Sequence, residues 1–253
     1  MVTVLGSIAA PEKLPTKSIT PMTVRSETSI YSNGLYLAMT GGTWHVQDSP
    51  FKASWINRML ARHPELRPNT ICEIGCGAGA ILSELQKTLP KATFTGYEIS
   101  PQANAISTRY ANETCRYVLG DAFADSALYD LVLVMDVVEH VEDCFSFMRQ
   151  SKHKGRLKLY HIPLDASAQR ILRGVNEWDT CGHIHIFTIE TAIKSLEYTG
   201  HRIIDWILSD GALSRPGSFL CQLGNALRRP LAKLSPKLAV RLFGGYSILI
   251  LAE

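Results

Sequence analysis

Two rhythms of apolar and polar positions divide the chain. Short apolar runs, bounded by glycine and acidic residues, lie at Ile71–Ile74, Ala92–Tyr97, Arg116–Leu119, Asp130–Asp136 and Leu157–Ile162, with later runs at Arg202–Ile207 and Tyr246–Ala252. They are too short for helices, and DLVLVM at 130–135 has almost no polar alternation, as expected of a central parallel strand covered on both faces. Between them the apolar period changes to that of a helix. Phe51, Trp55, Ile56, Met59 and Leu60 recur at helical spacing from Ser49-Pro50, a serine cap followed by proline, up to Pro64. Further helices are predicted over Ala80–Leu89 (stopped by Pro90), Pro101–Ala111 (from Ser100), Val141–Arg149 and Thr188–Tyr198, the last with Gly200 just beyond its end. Alternating strands and helices predict an α/β fold: a doubly wound, mostly parallel seven-stranded sheet, with an N-terminal helical cap and a helical insert before the last strand.

The first strand runs into TICEIGCGAG at 70–79. Gly75, Gly77 and Gly79 let the chain turn sharply and leave room for a ligand against the backbone, with the Glu73 carboxylate just ahead of them. The dinucleotide fingerprint G-x-G-x-x-G would need its third glycine where this chain has Ala80, so a diphosphate fits poorly. Other strands also end in polar groups. Glu98 closes the second, suited to accepting both hydroxyls of a ribose, Gly120-Asp121-Ala122 follows the third, and Asp136 leads into Val137-Val138-Glu139-His140 after the fourth.

At these residues the chain resembles the class I S-adenosylmethionine-dependent methyltransferases, firmly from about Trp44 to Tyr160 and more loosely beyond. The resemblance implies a Rossmann-like methyltransferase fold. It also implies that Glu73, Gly75, Gly77 and Gly79 hold the methionine part of S-adenosylmethionine, Glu98 and Ile99 its ribose side, and Asp121 and Ala122 the adenine edge, with Asp136 to His140 facing the methionine and the acceptor. Independently, a sulfonium cation without phosphates suits carboxylates and backbone rather than lysines.

With 253 residues and 46% hydrophobic content, one domain with additions fits better than two, and a net charge of +3 is too small to point to nucleic acid. The cysteines form no C-x-x-C pair and several lie in apolar elements, which suggests a reduced, cytoplasmic protein. MVTVLGSIAAPEKLP lacks the basic start and apolar core of a secretory signal, and no apolar run is long enough to span a bilayer. Residues 1–29, rich in Thr, Ser and Pro with little periodicity, read as a disordered extension ahead of a methyltransferase domain over 30–253.

Two segments exceed a minimal domain. Residues 163–187 are too long for a turn and read as a substrate loop carrying Trp178, Cys181, His183 and His185. Residues 211–244 carry six cations and no acid, with leucines at helical steps across Pro230 and Pro236, which predicts two or three short amphipathic helices. They read as a basic helical cover, or alternatively as a weak peripheral contact with an anionic membrane. Cys181-Gly182-His183-Ile184-His185 lacks the spacing of a structural metal site and no metal is expected. As an extended segment it would turn His183 and His185 one way and Ile184 and Ile186 into the core, so that His183, His185 and His140 are the candidates for a base, with Glu139 as a rival. Tyr36, Trp44, His45 and Trp178 are the candidate acceptor-side residues.

The function implied is methyl transfer from S-adenosylmethionine to oxygen, nitrogen or carbon of a small molecule, since no N-P-P-Y amide-methylating signature occurs. One alternative is attack at the aminocarboxypropyl carbon of the same cofactor, by transfer or cyclisation, releasing methylthioadenosine. Another is a non-catalytic or NAD-binding domain. Oligomeric state has no signature in the chain.

Overall fold

The computed structural model describes residues 31, 36, 42–44, 46–174, 182–211 and 219–253. The proposed extension at 1–29, and His45, Trp178 and Cys181, lie outside the described residues. The seven strands are β1 (Thr70–Ile74), β2 (Thr93–Glu98), β3 (Cys115–Leu119), β4 (Tyr129–Met135), β5 (Gly155–Pro163), β6 (Ile203–Ser209) and β7 (Ser247–Ala252), in the order β3-β2-β1-β4-β5-β7-β6. β1 to β5 pair in parallel, and β7 is inserted antiparallel between β5 and β6.

Why β4 is apolar at nearly every position is visible in the core. Leu131, Leu133 and Met135 point to one face, with Leu157, Leu159, Leu249 and Leu251. Val132 and Val134 point to the other, with Tyr160, Ile162, Ile248 and Ile250. Helix α1 (Ser49–Arg62) brings Ala53, Ile56 and Met59, and α2 (Ala80–Thr88) brings Ile81, Leu82 and Leu85, onto the first face. Helix α3 (Pro101–Ser107) starts from Ser100, whose side chain accepts the Ala103 N–H. Helix α4 (Cys144–Lys152) and α6 (Ile189–Tyr198) cover the second face through Met148, Ala192 and Leu196. Each fully buried leucine contributes about 1.5–3 kcal/mol, so the leucine and valine layers anchor β4 on both of its faces.

Several boundaries differ from the pattern-based ones. The helix expected over 141–149 begins at Cys144, because Asp143 caps the Ser146 N–H at 2.9 Å while Val138–His140 forms a 3₁₀ turn. The segment expected as a loop holds a short helix, α5 (Ala168–Arg173), capped by Ser167 and closed by left-handed Gly174. The basic insert contains two helices, α7 (Phe219–Leu234) and α8 (Pro236–Phe243), the first continuing through Pro230. No helix among the described residues is long and apolar enough to cross a membrane.

Candidate active site

Strand order reverses between β1 and β4, and the loops leaving the carboxyl ends of β1, β2 and β4 meet there. They open a cavity of about 700 Å³ lined by Gly75, Glu98, Ile99, Asp121, Ala122 and His140, among others. After β1 the chain turns through Gly75, Gly77 and Gly79, at φ +72°, +52° and +77°. The turn is pinned by the Gly75 and Cys76 N–H groups on Tyr97 O, at 2.9 and 3.0 Å. A Cβ at Gly77 would stand 2.7 Å from Trp44 Cδ1, and one at Gly79 would stand 2.5 Å from Tyr117 Cε1. The cradle therefore exists only because these positions have no side chain.

Glu98, at the end of β2, is buried, and its Oε2 accepts Gly77 N–H at 2.7 Å while Oε1 accepts Ser100 N–H at 2.8 Å. Burial raises its pKa and these backbone donors oppose the rise. A carboxylate has about four lone-pair sites, so each oxygen keeps capacity for a further donor. Asp121 accepts Phe123 N–H at 2.9 Å and caps the short turn containing Ala122; Ile99 is half exposed on the wall.

Glu73 is buried behind the cradle, and its Oε2 has no hydrogen-bond partner among the described residues. Burial pushes its pKa up to about 8, against the pull of Lys52. A buried, unpartnered acceptor beside a side-chain-free turn fits a ligand that brings a donor, such as an ammonium group.

Asp136 stands just past β4 in the left-handed region at φ 58° and does not line the cavity. It is held by Lys52 Nζ at 2.7 Å and His161 Nδ1 at 2.5 Å, and His161 Nε2 meets Ser209 Oγ at 2.8 Å. Burial disfavours its charge, but His161 and Lys52 outweigh burial and keep its pKa well below the usual carboxylate range. Lys52 and His161 escaped the sequence reading although each left a trace. Lys52 is a cation one turn before buried Ile56 on α1, and His161 is a lone imidazole in an apolar strand.

Of the three candidate bases, only His140 lines the cavity, with Tyr31 and Tyr36 edge-on at 6.0 and 6.5 Å. Its Nδ1–H donates to Gly182 O at 3.0 Å. Burial, then the neighbouring His183, lowers its pKa to about 4. His183 stacks edge-on at 4.8 Å from His140 and shares Nδ1–H with Asp165 Oδ2 at 2.6 Å; Arg170 pairs with the other oxygen of Asp165. His185 turns elsewhere, donating Nε2–H to Val141 O at 2.9 Å. The strand-like alternation expected for 183–186 fails. Ile184 and His185 both donate their N–H to Glu139 O, so successive side chains do not alternate and Ile186 is 56% exposed. Tyr36 and Trp44 pack edge-on at 5.0 Å beside the glycine turn.

Residues 44–205 match the family described as Methyltransferase domain. The ubiquinone biosynthesis O-methyltransferase of Methylobacterium sp. (strain 4-46) is 30% identical over 115 residues, covering 40% of this chain and 45% of that relative. The match thus spans less than half of the relative's length. The structure is similar to that of the plantazolicin methyltransferase BpumL in complex with SAH, with a TM-score of 0.58, 17% identity and 89% and 93% of the two chains covered. It is also similar to magnesium protoporphyrin IX methyltransferase from Synechocystis PCC 6803 with bound SAH, with a TM-score of 0.55, 15% identity and 84% of each chain covered. At these identities the likeness is one of fold.

Proposed function

Because the chain belongs to the class I S-adenosylmethionine-dependent methyltransferase family, we propose that it transfers a methyl group from S-adenosylmethionine to an oxygen, nitrogen or carbon of a small-molecule acceptor. One observation carries the reading: a buried carboxylate oxygen of Glu73 with no hydrogen-bond partner among the described residues, set against a turn that three left-handed glycines keep free of side chains. When bound, S-adenosylmethionine supplies an electrophilic methyl group on a positively charged leaving group. Everything else falls to the protein. Glu73, Gly75, Gly77 and Gly79 would hold the methionine part, Glu98 and Ile99 the ribose side, and Asp121 and Ala122 the adenine edge. Asp136 serves this set indirectly, by fixing Lys52 near Glu73.

The acceptor enters from the side of His140, Tyr31 and Tyr36, with His183 behind; Trp44 covers the glycine turn and keeps water from it. His185 holds the 182–185 segment in place and does not reach the acceptor. Alignment of two bound reactants accounts for much of the acceleration, so activity does not require a protein base. Small molecules remain the favoured acceptor class, since the charge is nearly balanced and the cavity is recessed. Cys72, Cys76, Cys115 and Cys144 are buried and form no disulfide among the described residues.

Incubating the protein with S-adenosylmethionine and a panel of hydroxylated, amino and acidic acceptors, and identifying the released nucleoside, tests this function. S-Adenosylhomocysteine supports methyl transfer. Methylthioadenosine instead favours reaction at the aminocarboxypropyl carbon.

A further inference from the structure

The 3₁₀ turn after β4 and the returning segment 182–185 bring three metal-ligand side chains together, although they are far apart in sequence. Glu139 is completely buried, and neither of its carboxylate oxygens has a hydrogen-bond partner among the described residues. An orphaned buried carboxylate is expensive unless something charged completes it. His183 Nε2 lies 3.9 Å from Glu139 Oε1, and one donor atom from each of Glu139, His140 and His183 lies within 4.8 Å of the others. We propose that Glu139, His140 and His183 form a binding site for one first-row divalent cation in the wall of the cavity.

The surroundings of both imidazoles suit that role. His140 Nδ1–H is taken by Gly182 O at 3.0 Å, which leaves the lone pair on Nε2. His183 Nδ1 is turned onto Asp165 Oδ2 at 2.6 Å, which places its lone pair on Nε2, the nitrogen facing Glu139. A histidine whose other nitrogen is held by a carboxylate or backbone carbonyl is the usual form of a metal ligand. The two segments are tied together by the Ile184 and His185 N–H groups, which both donate to Glu139 O, at 2.9 and 3.1 Å. Two imidazoles and one carboxylate favour zinc, manganese or iron over magnesium or calcium. Ligand bonds of about 2.0–2.2 Å require the donors to draw in by roughly an ångström, which side-chain rotation can provide.

Three ligands leave coordination positions open, and His140 itself lines the cavity, so an acceptor oxygen can reach the ion. That use rests on the methyl-transfer reading; the existence of the site does not. Taken alone, Cys181-Gly182-His183-Ile184-His185 lacks the spacing of a metal site. Glu139 and His140 complete the set through space.

The test uses the full chain, stripped with a chelator and without cofactor or acceptor. It is titrated with Zn2+ alone by calorimetry and with Co2+ by visible absorption. The expected result is one saturable equivalent with ligand-field bands of nitrogen and oxygen coordination. Glu139→Gln and His183→Gln should each weaken binding by at least about tenfold, and Asp165→Asn by about 10- to 100-fold. His153→Gln, at an exposed imidazole, should leave binding unchanged. No saturable binding, or binding unaffected by both Glu139→Gln and His183→Gln in folded protein, overturns the proposal. If Glu139→Gln fails to fold, His183→Gln and Asp165→Asn decide alone. S-Adenosylhomocysteine binding, measured separately without metal, can succeed when this fails and fail when this succeeds.

Discussion

Glu98 Oε2 accepts the backbone N–H of Gly77 at 2.7 Å, so the carboxylate that ends β2 also fixes the middle of the turn that follows β1. Glu98→Ala should therefore do more than remove a ligand contact. It leaves the N–H groups of Gly77 and Ser100 without their acceptor and should cost about 2–4 kcal/mol of stability, read by denaturant unfolding. Affinity for S-adenosylhomocysteine should fall on the order of 100-fold. Full stability and unchanged affinity together would show that neither the loop nor the ligand depends on this carboxylate.

Gly77→Ala places a methyl group where φ is +52° and where Trp44 Cδ1 would be 2.7 Å away. The left-handed backbone alone should cost about 1–2 kcal/mol. Trp44 must also move, so cofactor affinity should fall more than stability does, a difference that paired calorimetry and unfolding curves would reveal.

Lys52→Met breaks the 2.7 Å pair with Asp136 and leaves that carboxylate with His161 alone. Breaking a well-buried pair costs about 3–5 kcal/mol; since both side chains here keep some exposure, about 2–4 kcal/mol is expected. Asp136 has a lowered pKa, so its stabilisation is present above the unfolded carboxylate value near about 3.9 and is lost as pH falls below it. The wild-type protein should lose stability steeply on acidification, and Lys52→Met should show a shallower loss.

Burial acts oppositely on Glu73. With a folded pKa of about 8, above the unfolded value, its stability contribution is present at low pH and is lost as pH rises toward and through 8. The ligand-free protein should thus lose stability between about pH 4.3 and 8, and Glu73→Gln should flatten that slope. An ammonium group beside Glu73 favours its charged form, so binding S-adenosylhomocysteine at pH 7 should release close to one proton. Calorimetry in buffers of different ionisation enthalpy measures this release, which Glu73→Gln should abolish.

The strands and the glycine turn were legible because their signals are local. Leu131 to Met135 alternate between two covered faces, and only glycine serves at Gly77 and Gly79. Glu73 and Glu98 were legible as carboxylates at strand ends, but the link from Glu98 to Gly77 was not, because it joins two loops through space. Lys52, His161 and Asp165 act through partners 84, 25 and 18 residues away, and no periodicity reports such pairings. Ile186 was misread for the opposite reason. Glu139 O accepts two consecutive N–H groups there, and the alternation of an extended strand ends.

The central claim is that the cavity at the ends of β1, β2 and β4 holds S-adenosylmethionine. Competitive calorimetry with S-adenosylhomocysteine and NAD on the same preparation tests it most directly. The account predicts one saturable site for S-adenosylhomocysteine, lost on Glu73→Gln with Gly77→Ala, and NAD binding at least about 100-fold weaker, a gap of about 2.7 kcal/mol. NAD binding as tight as or tighter than S-adenosylhomocysteine, or no S-adenosylhomocysteine binding by the folded protein, would contradict it.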